Sequence, residues 1–127
     1  MNEQPARPED RFAGDFGVIG LEAMTAELIS RAVDSKHGHA QQTLYKHGHT
    51  TVAIFGFGAG SGLPQHAAKG VVTVQVLIGE VTLETPDGAN RLVAGQLARL
   101  APGVEHAVQT EREAAILVHV ALDPHGT

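Results

Sequence analysis

From about Thr43 onward the chain is a succession of short β-branched runs, each cut by Gly, Pro or Asp. The runs are Thr50 to Phe57, Val71 to Ile78, Val81 to Thr85, Arg91 to Ala94, Leu97 to Leu100, His106 to Val108 and Ala114 to Leu122. Pro86-Asp87-Gly88 and Ala101-Pro102-Gly103 between them are turn chemistry. Parallel strands need a crossover of about a dozen residues or more, usually a helix. No interval between these runs has room for one. The pattern therefore predicts an all-β, antiparallel sandwich or small barrel.

One helical segment precedes the strands. Leu21, Met24, Leu28 and Ala32 recur at steps of three and four, which places them on one helix face, while Glu22, Glu27 and Arg31 fall elsewhere. A helix is predicted over 21–33, outside the barrel, ended by the polar stretch around Gly38. Pro5, Pro8, Gly14 and Gly17 lie among charges, so residues 1–17 are expected to bury little and form a flexible tail. That leaves 18–127 as a single domain, with the barrel at about 43–122.

Composition narrows the chemistry. The absence of Cys excludes a disulfide scaffold, a thiolate zinc site, an iron–sulfur cluster and a Cys nucleophile. A net charge of −5 with no basic stripe argues against a nucleic-acid partner. No apolar run approaches the roughly 20 residues that span a bilayer, so no membrane role is expected. The opening MNEQPARPEDRF lacks the build of a signal peptide, and a cytoplasmic setting is the expectation. The Gly-rich run from Gly56 to Gly62 has Ser61 where G-x-G-x-x-G counted from Gly56 needs its last Gly, and no helical pattern follows. Ser61 has no evident His–Asp partners, and no carboxylate pair lies near His66 on its strand face.

The unusual residue is His, present eight times. Four belong to a near-repeat, Lys36-His37-Gly38-His39 and Lys46-His47-Gly48-His49. It reads either as an exposed metal-scavenging cluster or as two polar turns flanking the start of the sheet. Gly between the two His leaves each pair poorly pre-organised for a ligand, which favours the turns.

Two other His fall in a longer pattern. Gly60, His66 and Gly79 fit G-x5-H-x-H-x3,4-E-x6-G, and Gly95, Gly103 and His106 fit G-x5-P-x-G-x2-H-x3-N. In these spacings the chain resembles the cupin superfamily, over about Thr50 to Leu122. The resemblance implies a double-stranded β-helix, or jelly-roll barrel, with the helix at its N-terminal side. In metal-binding cupins both His of the first motif, its Glu and the later His hold one divalent ion inside the barrel. Here the second His falls on Ala68, the Glu on Val72, the Pro on Ala101 and the Asn on Thr110. His66 and His106 alone make a weak site for zinc, nickel, iron or manganese, which want three or more protein ligands. His49 or His119 would have to supply a third.

Val72, Val74 and Val76 share strand parity with His66, so all face inward together unless a bulge intervenes. His66, His106 and these valines would line a pocket for a small ligand, mostly apolar with one polar or acidic group. The alternative is a barrel packed solid. Three functions follow. The first is a ligand-binding or sensing module without an obligatory metal. The second is a metal-dependent enzyme of dioxygenase or isomerase type, using His66, His106 and a non-standard third ligand. The third is a partner-binding role in a homodimer, whose second copy covers exposed sheet.

Overall fold

The computed structural model describes residues 14–124. Of the expected tail, residues 1–13 lie outside the described residues. A helix, α1 (Leu21–Val33), precedes nine strands: β1 (His39–His47), β2 (Thr50–Phe57), β3 (Gly62–His66), β4 (Gly70–Ile78), β5 (Glu80–Thr85), β6 (Gly88–Val93), β7 (Leu97–Leu100), β8 (His106–Gln109) and β9 (Ala114–Leu122). They form two antiparallel sheets, β1-β2-β9-β4-β7 and β3-β8-β5-β6. From β2 onward the chain passes repeatedly from one sheet to the other, and side chains between them make the core.

Alternation along the strands decides what is inside. Val72, Val74 and Val76 of β4 are buried, as are Val81 and Leu83 of β5, Val108 of β8, and Ala114 and Ile116 of β9. Residues two apart share a face, and the register puts Val74 opposite Val118, Val76 opposite Ile116 and Leu83 opposite Val108. The two inner faces therefore interlock in one apolar cluster, closed by Phe57 and Leu100. No helix among the described residues is long and apolar enough to cross a membrane.

Two strands were not expected. The barrel begins at His39, not near Thr43, because β1 (HAQQTLYKH) is an edge strand whose polar side chains give no apolar alternation. The second is β3, for which the residues before His66 give no strand pattern, and it too is an edge strand. Its Pro64 cannot donate to a ladder, which only an edge tolerates.

Helix α1 buries Thr25, Leu28 and Ala32, so its inner stripe runs through Thr25 where Met24 was expected. It packs on the outer face of β2. A Cβ on Gly56 would lie 2.7 Å from both Ile29 N and Leu28 C, so only Gly lets the helix backbone approach this closely. Gly79 serves differently. It is no hairpin end: β4 and β5 belong to different sheets, and the chain turns the corner between them there with φ 77°. A Cβ there would meet Glu113 O at 2.6 Å.

The Gly-rich loop is a joint. Thr110 is buried, and its hydroxyl lies 3.2 Å from both the Gly58 and Ser61 carbonyls. Its N–H donates to Ser61 O at 2.8 Å. The Ser61 hydroxyl in turn lies 2.8 Å from the Gly38 and Gly58 carbonyls. These bonds tie the loop before β3 to the end of β8 and to the entry of β1.

Gly56→Ala is expected to destabilise the protein by about 1–3 kcal/mol, the range for overpacking a tight contact. Urea unfolding followed by circular dichroism checks it. An unchanged midpoint would mean that α1 does not dock on β2 as described.

Candidate functional site

His66 ends the edge strand β3 and His106 opens β8, and the register sets them directly opposite each other. Residues paired this way present their side chains on the same face. Their ring centroids are 4.3 Å apart, with the planes inclined at 59°. His106 is 3% exposed, whereas His66 is exposed. One imidazole thus sits within the barrel wall and its neighbour sits at the rim.

Both rings are held in the same way. His66 Nδ1 lies 3.0 Å from Pro64 O, and His106 Nδ1 lies 3.0 Å from Val104 O. A carbonyl can only accept, so each Nδ1 carries a hydrogen and donates it. In the neutral ring this leaves the lone pair on Nε2, the atom free to accept a hydrogen bond or to meet a metal. The surrounding chain is tied at the same level. Gly103 N–H donates to Ala68 O at 2.8 Å, and the Gln65 side-chain amide donates to the Glu105 carboxylate. These links matter because the β3–β8 register shifts between Leu63 and His66.

The other expected site residues lie elsewhere. Val72, Val74 and Val76 face the barrel interior, but they are only 3, 2 and 0% exposed. They belong to the core cluster with Phe57, Leu83, Leu100 and Ile116. Val118 and Val120, the inner-facing β9 partners of Val74 and Val72, stay only partly buried beside that cluster. His49 sits exposed in the β1–β2 turn, where its carbonyl accepts the Leu122 N–H at 2.8 Å. His119 pairs with Val52 and Thr73 on the face of the large sheet that points away from the barrel. Neither can serve as the third ligand.

Among the described residues, no group of three or more His, Cys, Asp or Glu could hold a metal ion. The donor set therefore does not fit a tight divalent site. Ala68 and Val72 stand where the motif has its second His and its carboxylate, and Val72 is locked into the core. The near-repeat forms two turns, with Gly38 at φ 76° and Gly48 at φ 58°. Its His39 was missed as an inward residue. It pairs with Phe57, its ring lies 6.4 Å from the Phe57 ring, and its buried Nδ1 has no hydrogen-bond partner among the described residues. Only the β1 register reveals this, and β1 carries no strand pattern.

The likeness to solved structures is one of fold. A cupin superfamily protein from Desulfitobacterium hafniense superposes with a TM-score of 0.67 at 17% identity, over 70% of this chain and 82% of that one. The chain has the cupin fold. A cupin-2 domain containing protein from Shewanella frigidimarina matches 82% of this chain and 94% of its own, with a TM-score of 0.62 and 15% identity. The cupin-2 domain of an XRE family transcriptional regulator from Enterobacter cloacae matches 68% and 98%, with a TM-score of 0.61 and 17% identity. No family model matches the chain, and no curated protein does. The cupin motif positions place the two imidazoles side by side here, in a fold whose further ligand positions this chain fills with apolar residues.

Two outcomes are expected. In His106→Ala, the ring resonances of His66 should shift while those of His49 and His119 stay in place; an unmoved His66 signal would separate the pair. Elemental analysis of untagged protein should find substoichiometric metal, and added nickel or zinc should dialyse away. Stoichiometric iron or manganese surviving dialysis would show a third donor that this arrangement lacks.

Proposed function

We propose that this cupin-fold protein is a small-molecule binding module. Its recognition element is the His66–His106 pair at the barrel rim, and its ligand is a small acid with an apolar body. The observation that carries this reading is the shared tethering of the two rings 4.3 Å apart, each with Nδ1 committed to a backbone carbonyl. Such a pair offers two Nε2 acceptors. A carboxylic acid can donate its proton to one of them, and the resulting imidazolium–carboxylate contact is a charge-assisted hydrogen bond, shorter and stronger than a neutral one. Partly buried surroundings strengthen it further.

The ligand is small because the inner-facing Val72, Val74, Val76, Val81 and Leu83 are packed into one core cluster. Its acid group meets His106 through the rim, and its apolar part rests on the half-buried Leu63, Ala68 and Val104, which pack against the core. The enzyme reading, with a metal-activated substrate, needs a third donor that neither His49 nor His119 supplies. Binding without chemistry asks nothing more than the two rings.

The test is a titration of wild type, His66→Ala and His106→Ala with acetate, butyrate and benzoate, read on the His ring resonances. Saturable shifts of both rings are expected in wild type, stronger for butyrate and benzoate than for acetate. Losing His66 should weaken them about tenfold, equivalent to roughly 1.4 kcal/mol. Rings that no acid moves through the millimolar range would overturn the reading.

A further inference from the structure

Four strands are edges among the described residues: β1 and β7 of the large sheet, β3 and β6 of the small one. An edge presents a row of unpaired N–H and C=O groups that another chain can join, and proteins blunt it with bulges, Pro, Lys or short length. Three of the four are blunted. β1 has a register shift between Thr43 and Tyr45 and carries Lys46. β3 has Pro64 and a shift between Leu63 and His66. β7 has only four residues. β6 (GANRLV) has none of these devices. It pairs with β5 over all six residues without a shift, and five of the six are exposed. Its one charged residue, Arg91, reaches back to form an ion pair with Glu80 of β5. Val93 N–H donates to Gln96 Oε1 at 2.9 Å, so it points away from β5. Backbone groups alternate along a strand with period two. The N–H groups of Ala89 and Arg91 therefore point to the same free side, where no strand among the described residues pairs.

We infer that β6 is a docking edge, where an extended basic segment of another protein adds as a further strand. Strand addition takes its affinity from main-chain hydrogen bonds and its specificity from side chains at alternate positions. Charge selects the partner. Glu80 and Glu84 face outward from β5, and Glu111 and Glu113 stand in the β8–β9 turn. Against these carboxylates stand two guanidiniums, Arg91, already held by Glu80, and Arg112. At the Val93 end of β6, Glu80, Glu111, Arg112 and Glu113 line a cleft of about 430 Å³. Neighbouring strands lie about 4.8 Å apart, which puts Glu80 about 10 Å from an added strand, within the combined reach of a lysine and a glutamate side chain. On the inner face, the half-buried Leu92 offers an apolar neighbour to the alternate positions of that strand. A second copy of this chain would bring the same surplus of carboxylates to the edge, and like charges disfavour the wrong partner. A basic segment meets opposite charge. β6 and β3 are opposite edges of the small sheet, so this surface is separate from the His66–His106 pair and its test does not depend on ligand binding.

The probe is a capped hexapeptide of alternating Lys and Val, added to the isotope-labelled full chain and read on the backbone amide resonances. Saturable shifts centred on Ala89 and Arg91 are expected, with amide hydrogen exchange at both slowed about tenfold by bound peptide. The same peptide with Glu in place of Lys should leave these resonances unmoved. Ala89→Pro removes a free-side N–H and spares the β5–β6 ladder, as Pro on an edge does. It should weaken binding about tenfold. Glu111→Gln combined with Glu113→Gln changes only exposed side chains and keeps the test decisive if the Pro variant does not fold. It should weaken binding about threefold, the scale of exposed ion pairs. No shifts at millimolar peptide, shifts centred on β1, β3 or β7, or equal binding of the Glu peptide overturns the proposal. So does slow exchange at Ala89 and Arg91 without peptide, which would show a second copy already on this edge.

Discussion

The fold rests on the burial of the inner face of each sheet against the other. Val72, Val74, Val76, Val81, Leu83, Val108 and Ile116 are all at most 3% exposed, and burying a side chain of this size fully is worth about 1.5–3 kcal/mol. With no Trp and one Tyr in the chain, this aliphatic interlock must do what aromatic residues do elsewhere. It also sets a limit on function. With these side chains packed against one another, the proposed recognition lies at the rim, where β3 and β8 carry the two imidazoles.

Two substitutions against the cupin motif belong to the same trade. A carboxylate at position 72 would be an ionised group between Leu100 and Val120, its cross-strand partners. Without a metal to meet it, such a charge is costly to desolvate. Val72 removes that cost and adds to the core. Ala68, half-buried against the same core, replaces an imidazole with a methyl group. Losing both together is more coherent than losing one, since a single remaining carboxylate would be buried without a partner. What survives is the pair whose Nδ1 atoms are satisfied without metal, through Pro64 O and Val104 O.

Much of this was legible in the residues. The breaks at Gly79, Pro86-Asp87-Gly88, Gly95 and Pro102-Gly103 delimit strands close to those observed, and the motif spacing singled out His66 with His106. The rest was hidden for physical reasons. Edge strands β1 and β3 are polar or proline-bearing, because one side of each has no neighbour to pair with, so neither shows alternating apolar residues. In β9 both faces are apolar: Ala115 and Leu117 on one, Ile116 and Val118 on the other. Parity could therefore not tell which way His119 points until the register with Val52 and Thr73 was known. The packing of Val72, Val74 and Val76 into one cluster with Phe57 and Leu83 brings together residues that are distant in sequence and meet only in the fold.

The site depends on the contact between two rings that are 40 residues apart in sequence, an interval that also separates Gln65 from Glu105 beside them. A nuclear Overhauser experiment on isotope-labelled wild-type protein, read between the His66 and His106 ring protons, addresses it directly. With ring centroids at 4.3 Å, a strong cross-peak between the two rings is expected. Assigned resonances for both rings with no cross-peak between them would contradict the site, and with it the function built on it.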